Sequence, residues 1–401
     1  MDPREDPYAP GAGRQPPELA GRDELLKNAA ITMDRVLAGR PNRGMIMLGL
    51  RGVGKTVLVN RLLATAQEKG FEAVKIEAPE GGALPRMLTP LLRQSLYNLD
   101  LKSAAGHKIG VAFSILRNFA SAFKVKVGDI EIGVKEARGK ADSGNLEQDL
   151  PDLLVAVSEA AAERGTALAL LIDEIQYLLP AELAGLIVAC HEIAQRNLPL
   201  FFVGAGLPQI AALAGNAKSY AERLFDYPEV GQLDPAAARL ALVGPAKNQS
   251  VKFEDDAIEE ILRVTERYAY FVQHWGSHCW LMAPASPIRR ADVKGATPGA
   301  VAALDKNFFR VRFDRLTPLQ QKYLRAMAEL GPGPYQTGDI AAMLGVDAAA
   351  VATVRQQLIN KGMIWSQRHG ETAFTVPLFD QFMKRRMPEL VKHKPKKQSR
   401  R

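Results

Sequence analysis

Cysteine is nearly absent: Cys190 and Cys279 are the two in 401 residues, far apart, and no Cys/His spacing resembles a zinc site. A disulfide scaffold and a structural zinc are thereby excluded. Long apolar runs are also missing, since 167–172 and 198–206 fall far short of a bilayer span. The first residues are acidic and proline-bearing, with no apolar core of a signal peptide. These lacks predict a cytoplasmic chain without a membrane segment. No internal repeat of 20 to 50 residues is found, so a solenoid is excluded. What is there is a globular composition, 47% hydrophobic and 24% charged, in a chain too long for one typical core. Two or three domains are expected. Net charge is lacking from most of the chain: 315–401 holds 15 basic and 6 acidic side chains, so the +8 total divides into +9 there and −1 in 1–314. Six of those cations fall in 390–401, with no acid among them.

Residues 1–17, rich in Pro, Gly and charge, read as a disordered leader. From 18 the apolar pattern alternates between helix and strand: a helix over 23–38, a strand over 45–48, a helix over 54–68, a strand over 71–78 and a helix over 84–99. The rhythm breaks at 101–149, where 123–127 and 130–134 alternate with period two around Gly128-Asp129 and predict an inserted hairpin outside the core. It resumes with a helix over 146–164, a strand over 168–172, a helix over 181–196 and a strand over 200–203. Short continuous apolar strands between helices imply an α/β fold with a mostly parallel sheet covered on both faces. The expected domains are an α/β core over 18–233, a helical region over 234–314, a small unit over 315–389 and a basic disordered tail over 390–401.

Gly49-Leu-Arg-Gly52-Val53-Gly54-Lys55-Thr56 fits G-x-x-x-x-G-K-[ST] between a predicted strand and a predicted helix. Backbone N–H groups along Gly49, Gly52, Val53 and Gly54 can curl around an anion, and the helix N-terminus adds positive dipole. Lys55 would reach the β and γ phosphates of ATP, and the Thr56 hydroxyl would ligate Mg²⁺. A second element, Leu168 to Glu174, delivers two carboxylates at the end of a buried strand, where ligands of parallel sheets bind. Asp173 is placed for the Mg²⁺ shell, and Glu174 can orient or deprotonate an attacking water. The other reading of the pair is an acidic cap ahead of a helix.

These motifs together resemble an AAA+ ATPase of the bacterial and archaeal group related to origin-recognition and cell-division-control initiators, over roughly 18–388. The resemblance implies a P-loop AAA+ parallel-sheet core, a helical lid and a C-terminal winged helix. It implies that Leu19-Ala-Gly21-Arg22-Asp23-Glu24 is the N-terminal box, with Arg22 at the nucleotide. It also implies that Arg223 is an arginine finger offered to a neighbouring subunit's ATP, hence nucleotide-dependent homo-oligomers. The alternative for Arg223 is an ion pair with Glu222 or Asp226. Two departures stand out: Gly204 and Ala205 replace the polar sensor of the Leu200–Gly206 strand, and Tyr270 stands where relatives commonly have proline, with no arginine in register beyond Arg267. The aromatic cluster of Tyr268, Tyr270, Phe271, Trp275 and Trp280 has helical spacing and reads as lid core.

In the small unit, helices over 316–329, 339–344 and 348–360 with a Gly345 turn form a helix-turn-helix signature, and the alternating segments 363–366 and 372–376 form a hairpin beyond it. As a DNA reader, the third helix would present Thr353, Arg355 and Gln356, with Lys361 and the hairpin-tip Arg368 on phosphates. Its first turns are mostly alanine, which favours binding without sequence preference. The tail would add salt-sensitive affinity for any polyanion. The expected function is a slow, assembly- or DNA-stimulated ATPase that associates with DNA. The alternative is a nucleotide-controlled switch whose winged helix docks a protein partner.

Overall fold

The computed structural model describes residues 1–11, 13–14, 16, 18–101, 107–126, 139–331, 333–366 and 370–390. Two compact units emerge: 22–49 with 54–230, and 1–21 with 50–53 and 231–401. The first is an α/β unit whose elements run α1 (Asp23–Leu37), β1 (Gly44–Leu48), α2 (Lys55–Glu68), β2 (Glu72–Glu77), α3 (Leu84–Leu101), α4 (His107–Ala122), α5 (Leu146–Glu163), β3 (Leu168–Asp173), α6 (Pro180–Gln195), β4 (Leu200–Gly206), α7 (Ile210–Ala217), α8 (Ala221–Leu224) and β5 (Phe225–Asp226). The five strands are parallel in the order β2-β3-β4-β1-β5. All residues of β3 and β4 are buried, as continuous apolar strands must be when helices cover both faces. At roughly 1.5–3 kcal/mol for each large apolar side chain buried, these strands anchor the unit.

Polar groups inside this unit are placed with partners. The buried Glu182 carboxylate of α6 accepts the N–H groups of Ala83 (3.0 Å), Leu84 (2.8 Å) and Leu179 (2.9 Å), tying the start of α3 to the start of α6. Asp149, also buried, accepts from Ser143 and Gly144 and fixes the entry to α5, which Asn145 caps through the Glu147 N–H at 3.0 Å.

The expected insertion needs correction. Residues 107–122 form α4, with Ile109, Ala112, Phe113, Leu116 and Phe119 buried in the same core as α3 and α5. The spacing 109, 112, 113, 116, 119 is helical, and it outweighs the period-two stretch that follows. Of the predicted hairpin, 123–124 form a turn and 125–126 belong to no strand; the remainder, 127–138, lies outside the described residues.

The second unit is mostly helical: α9 (Pro235–Asn248), α10 (Asp255–Val264), α11 (Ala269–Met282), α12 (Arg290–Leu304), α13 (Arg310–Phe313), α14 (Pro318–Glu329), β6 (Tyr335–Gln336), α15 (Thr337–Leu344), α16 (Ala348–Asn360), β7 (Ile364–Trp365), β8 (Glu371–Phe374) and α17 (Phe379–Arg386). Caps are legible in the sequence: Asp234 accepts the Ala237 N–H at 2.8 Å ahead of α9, and Thr317 with Gln320 forms a capping box before Pro318 opens α14. Gly345, at φ +71°, ends α15 as only a residue without Cβ does freely. The short strands form an antiparallel sheet in the order β6-β8-β7. Tyr268, Phe271, Trp275 and Trp280 are buried, as the helical spacing predicts, and Tyr270 is half-buried.

The leader departs from its expected disorder. Tyr8 is buried with its ring against Gly276, where a Cβ would lie 2.5 Å from it, and its hydroxyl donates to the Leu242 carbonyl at 2.6 Å. Trp280 Nε1 donates to the Asp2 carbonyl (2.9 Å) and the Ser277 hydroxyl to Asp6 (2.5 Å). One aromatic anchor and the polar atoms of α11 overcome a composition that lacks any apolar period. Among the described residues, no single helix is long and apolar enough to cross a membrane.

Candidate functional site

Parallel pairing brings the carboxyl ends of β1, β4 and β3 to one edge of the sheet, with Leu48 beside Gly206 and Ile172 beside Gly204. The glycine loop leaves β1 at that edge. Gly52 and Gly54 hold φ of +82° and +100°, a left-handed backbone that suits glycine. A Cβ on Gly54 would meet nothing within 4 Å, so the space beside that glycine is open. Lys55 opens α2 directly after it and is only 6% exposed, with Nζ donating to the Gly49 carbonyl at 2.8 Å. No side chain caps α2 and its first turn carries no acid, so the positive end of the helix dipole is left for an anion. Thr56 follows, half-buried.

Asp173 ends β3 at 1% exposure, with Oδ1 accepting the Glu174 N–H at 2.9 Å. Glu174 itself sits at φ +52°, ψ +38°, a conformation unusual for a residue with a side chain, and it turns the chain off the strand. The structure thus brings Gly49, Gly54, Lys55, Asp173 and Glu174 to one edge. The acidic-cap reading of the pair finds no support: the Asp173 side chain bonds the next residue's N–H, and Glu174 makes no side-chain cap. Hard oxygen donors at Thr56 and Asp173 fit a Mg²⁺ ion, and the left-handed glycines followed by a buried lysine fit a polyphosphate.

Arg22 is half-buried at the start of α1, where its carbonyl accepts the Leu26 N–H at 3.0 Å. Arg223 is exposed on α8, just ahead of β5, whose Phe225 pairs with Gly44 at the opposite end of β1 from the loop. The structure therefore does not bring it to the loop of its own chain. Nor does the ion-pair alternative hold for Asp226, which pairs with Arg43 at 3.3 Å.

The sequence reading missed Gln176, which donates Nε2 to Glu174 and accepts the Leu207 N–H at 3.1 Å. Its position two residues past the carboxylates was visible, but only the fold carries it to β4.

In the second unit, Gly52 accepts the Tyr270 N–H at 3.2 Å, and a Cβ on Gly52 would meet the Tyr268 ring at 3.1 Å. Arg51 lies against Gly362, where a Cβ would stand 2.9 Å from its guanidinium. Burial drives the Tyr268 phenol well above its ordinary range, and its hydroxyl donates to the Thr375 carbonyl at 3.4 Å.

The expected DNA contacts need revision. Arg355 turns into the module, donating to the Thr372 hydroxyl (3.0 Å), the Ser366 hydroxyl (2.8 Å) and the Glu371 carbonyl (3.0 Å). Lys361 donates to the Arg315 carbonyl (2.8 Å) and to Gln320 (3.0 Å). Both cations satisfy backbone and side-chain acceptors that folding would otherwise leave bare. Gln356 is exposed and bonds Asn360, Thr353 is exposed, and Arg368 lies outside the described residues.

Residues 18–203 match the AAA ATPase domain family, and residues 306–383 match a domain of unknown function (DUF8462). No curated protein matches the chain in sequence. Among solved structures, the chain is similar to a Walker-type ATPase of Pyrococcus abyssi at 15% identity and a TM-score of 0.58, covering 92% of this chain and 97% of that one. It is also similar to the ORC2 protein of Aeropyrum pernix, solved in ADPNP–ADP complexes, at 17% identity and a TM-score of 0.52, covering 95% and 98%. At such identities the likeness speaks for the fold alone. The match over residues 18–203 and the likeness of the structures agree on an α/β P-loop AAA+ fold.

Proposed function

We propose that this protein binds ATP with Mg²⁺ at the carboxyl edge of its sheet and hydrolyses it slowly, in a manner stimulated by assembly or by DNA. One observation carries the reading: a buried lysine after a glycine loop, and a buried Asp173 followed by a half-buried Glu174, stand at the ends of parallel strands β1 and β3, flanking β4. Backbone N–H groups of Gly49, Gly52, Val53 and Gly54 hold the phosphates, Lys55 neutralises the β and γ groups, and Arg22 reaches the nucleotide from the N-terminal box. Thr56 and Asp173 hold the metal, which supplies charge neutralisation for the leaving phosphate. Glu174 orients the attacking water and takes its proton.

Arg223, at the far end of β1 from the loop, serves the nucleotide of a neighbouring copy, which makes turnover depend on homo-oligomers. The C-terminal unit, whose helix-turn-helix and hairpin order is that of a winged helix, associates with DNA mainly through charge without sequence preference, with residues 390–401 supplying much of the salt-sensitive affinity. Glu174→Gln tests the catalytic half: it should trap ATP and stabilise the assembly, and normal hydrolysis would reject the assignment.

A second reading, that the same module docks a protein, is favoured by one observation. The exposed positions of α16 (Ala348, Ala349, Ala350, Ala352, Thr353, Gln356, Gln357 and Asn360) carry no charge at all. Anisotropy titration of duplex DNA against salt, with the full chain and with a chain lacking 390–401, separates the two. Binding that survives the truncation favours the module as the DNA site; no binding by the full chain near physiological salt leaves the protein-docking reading.

A further inference from the structure

β4 reaches the site edge with no polar side chain, since it ends Gly204, Ala205, Gly206. The polar group there comes from another element. A single 3-10 turn, Ile175–Tyr177, follows Glu174 and carries Gln176 across the end of β4. The carboxamide Oε1 accepts the Leu207 N–H at 3.1 Å, and Nε2 donates to the Glu174 carboxylate. These partners set the amide's orientation, because the reverse would oppose donor to donor and acceptor to acceptor. Gly206 leaves room for it: a Cβ there would lie 2.7 Å from Gln176 Oε1 and 2.9 Å from Ile175. Gly49, the first residue of the phosphate loop, donates its N–H to the Gly206 carbonyl at 3.0 Å. The loop, the end of β4 and the Glu174 carboxylate are thus joined in one run, and Gln176 is the side chain that completes it.

We propose that Gln176 is a positioning residue: it fixes the Glu174 carboxylate relative to the phosphate loop and stands in for the polar side chain that β4 lacks. The inference rests on the reading of Glu174 as the group that activates water. Glu174 itself leaves the strand conformation, at φ +52° and ψ +38°. A carboxylate held from one side by a neutral donor keeps its acceptor lone pairs for water.

The test is steady-state hydrolysis and fluorescent-ATP binding by the full chain as wild type, Gln176→Met, Gln176→Glu, Glu174→Gln and the double variant Glu174→Gln/Gln176→Met. Gln176→Met keeps the shape and loses both hydrogen bonds; it should lower kcat about 10- to 100-fold, the scale of a misplaced catalytic group, with KM and nucleotide affinity held. It should add no loss in the Glu174→Gln background, because it acts through Glu174. Gln176→Glu keeps the acceptor for Leu207 but opposes two carboxylates. It should be impaired at about pH 8 and recover toward about pH 6, as a shared proton restores a donor. A merely structural residue would give a pH profile parallel to the wild type. A wild-type kcat in Gln176→Met, with Glu174→Gln inactive, overturns the inference and leaves the role of Glu174 standing. Wild-type turnover by Glu174→Gln overturns both. If Gln176→Met does not fold, the Gln176→Glu profile decides, and a parallel profile overturns the inference.

Discussion

The two units use their charged side chains in opposite ways. In the sheet unit, Lys55, Asp173 and Glu174 are gathered where parallel strands end, beside the glycine loop. In the C-terminal unit, four of the described cations are bonded within it. Arg355 and Lys361 donate to the module's own acceptors, Arg325 donates to the Met387 and Pro388 carbonyls and to Glu329, and Arg385 pairs with Asp305 at 2.7 Å. The contrast teaches that net charge does not locate a binding surface. A guanidinium that completes backbone acceptors acts as a strut, whereas a carboxylate at a strand end is held for chemistry.

The largest test of this contrast is Lys55→Ala, expected to abolish ATP binding and to cut turnover by about 100-fold or more, read by fluorescent-nucleotide titration and phosphate release. Retained binding would make Lys55 a strut like Arg355. Next is Tyr8→Ala, expected to destabilise the C-terminal unit by roughly 3 kcal/mol through the cavity over Gly276 and the lost Leu242 bond, read by thermal unfolding and by hydrogen exchange in α9 and α11. Unchanged exchange in those helices would return the leader to the disordered class.

A pH titration sharpens the same unit. Burial, and to a lesser degree the neighbouring His278, pushes His274 down to about 4, although its hydrogen bond to the Ala300 carbonyl opposes the shift. The unfolded chain takes up that proton near 6.5 and the folded chain only near 4. The unfolded state therefore binds more protons between those values, and stability, full above about 6.5, should fall as pH drops toward about 4, by an amount on the order of 2–3 kcal/mol. His274→Gln should flatten that decline in unfolding measured by fluorescence. The smallest effect is expected for Arg355→Ala: a loss of about 1–2 kcal/mol in stability, with the salt dependence of DNA binding unchanged. A flattened salt slope without loss of stability would place Arg355 at a phosphate after all.

How much was legible follows from how local each signal is. The glycine loop, β1, α2, β3 and the acidic pair are contiguous motifs, and continuous apolar strands announce a covered parallel sheet, so their places match the expectation closely. α16 likewise falls on 348–360 as expected. The helix α4 was readable from 109, 112, 113, 116 and 119 but was overshadowed by the alternating lysines and valines after it. Tyr8 could not be placed from sequence, because a single aromatic in a Pro- and Gly-rich segment has no period, and its partner surface on α9 and α11 lies more than 230 residues away. Gln176 was hidden for the same reason: its two partners, Glu174 and Leu207, are joined only once β3 and β4 pair.

By itself, then, the sequence determined which backbone could cradle an anion, which strand would deliver carboxylates, and that the excess charge lies after residue 314. Backbone conformation at glycines, apolar periodicity and composition are local properties, carried by neighbours in the chain. Tertiary structure alone decided which cations remain available, which end of β1 Arg223 faces, and which side chain supplies the polar group missing from β4. Those depend on hydrogen bonds between segments far apart in sequence, and a donor's use is settled only when folding brings an acceptor within about 3 Å of it.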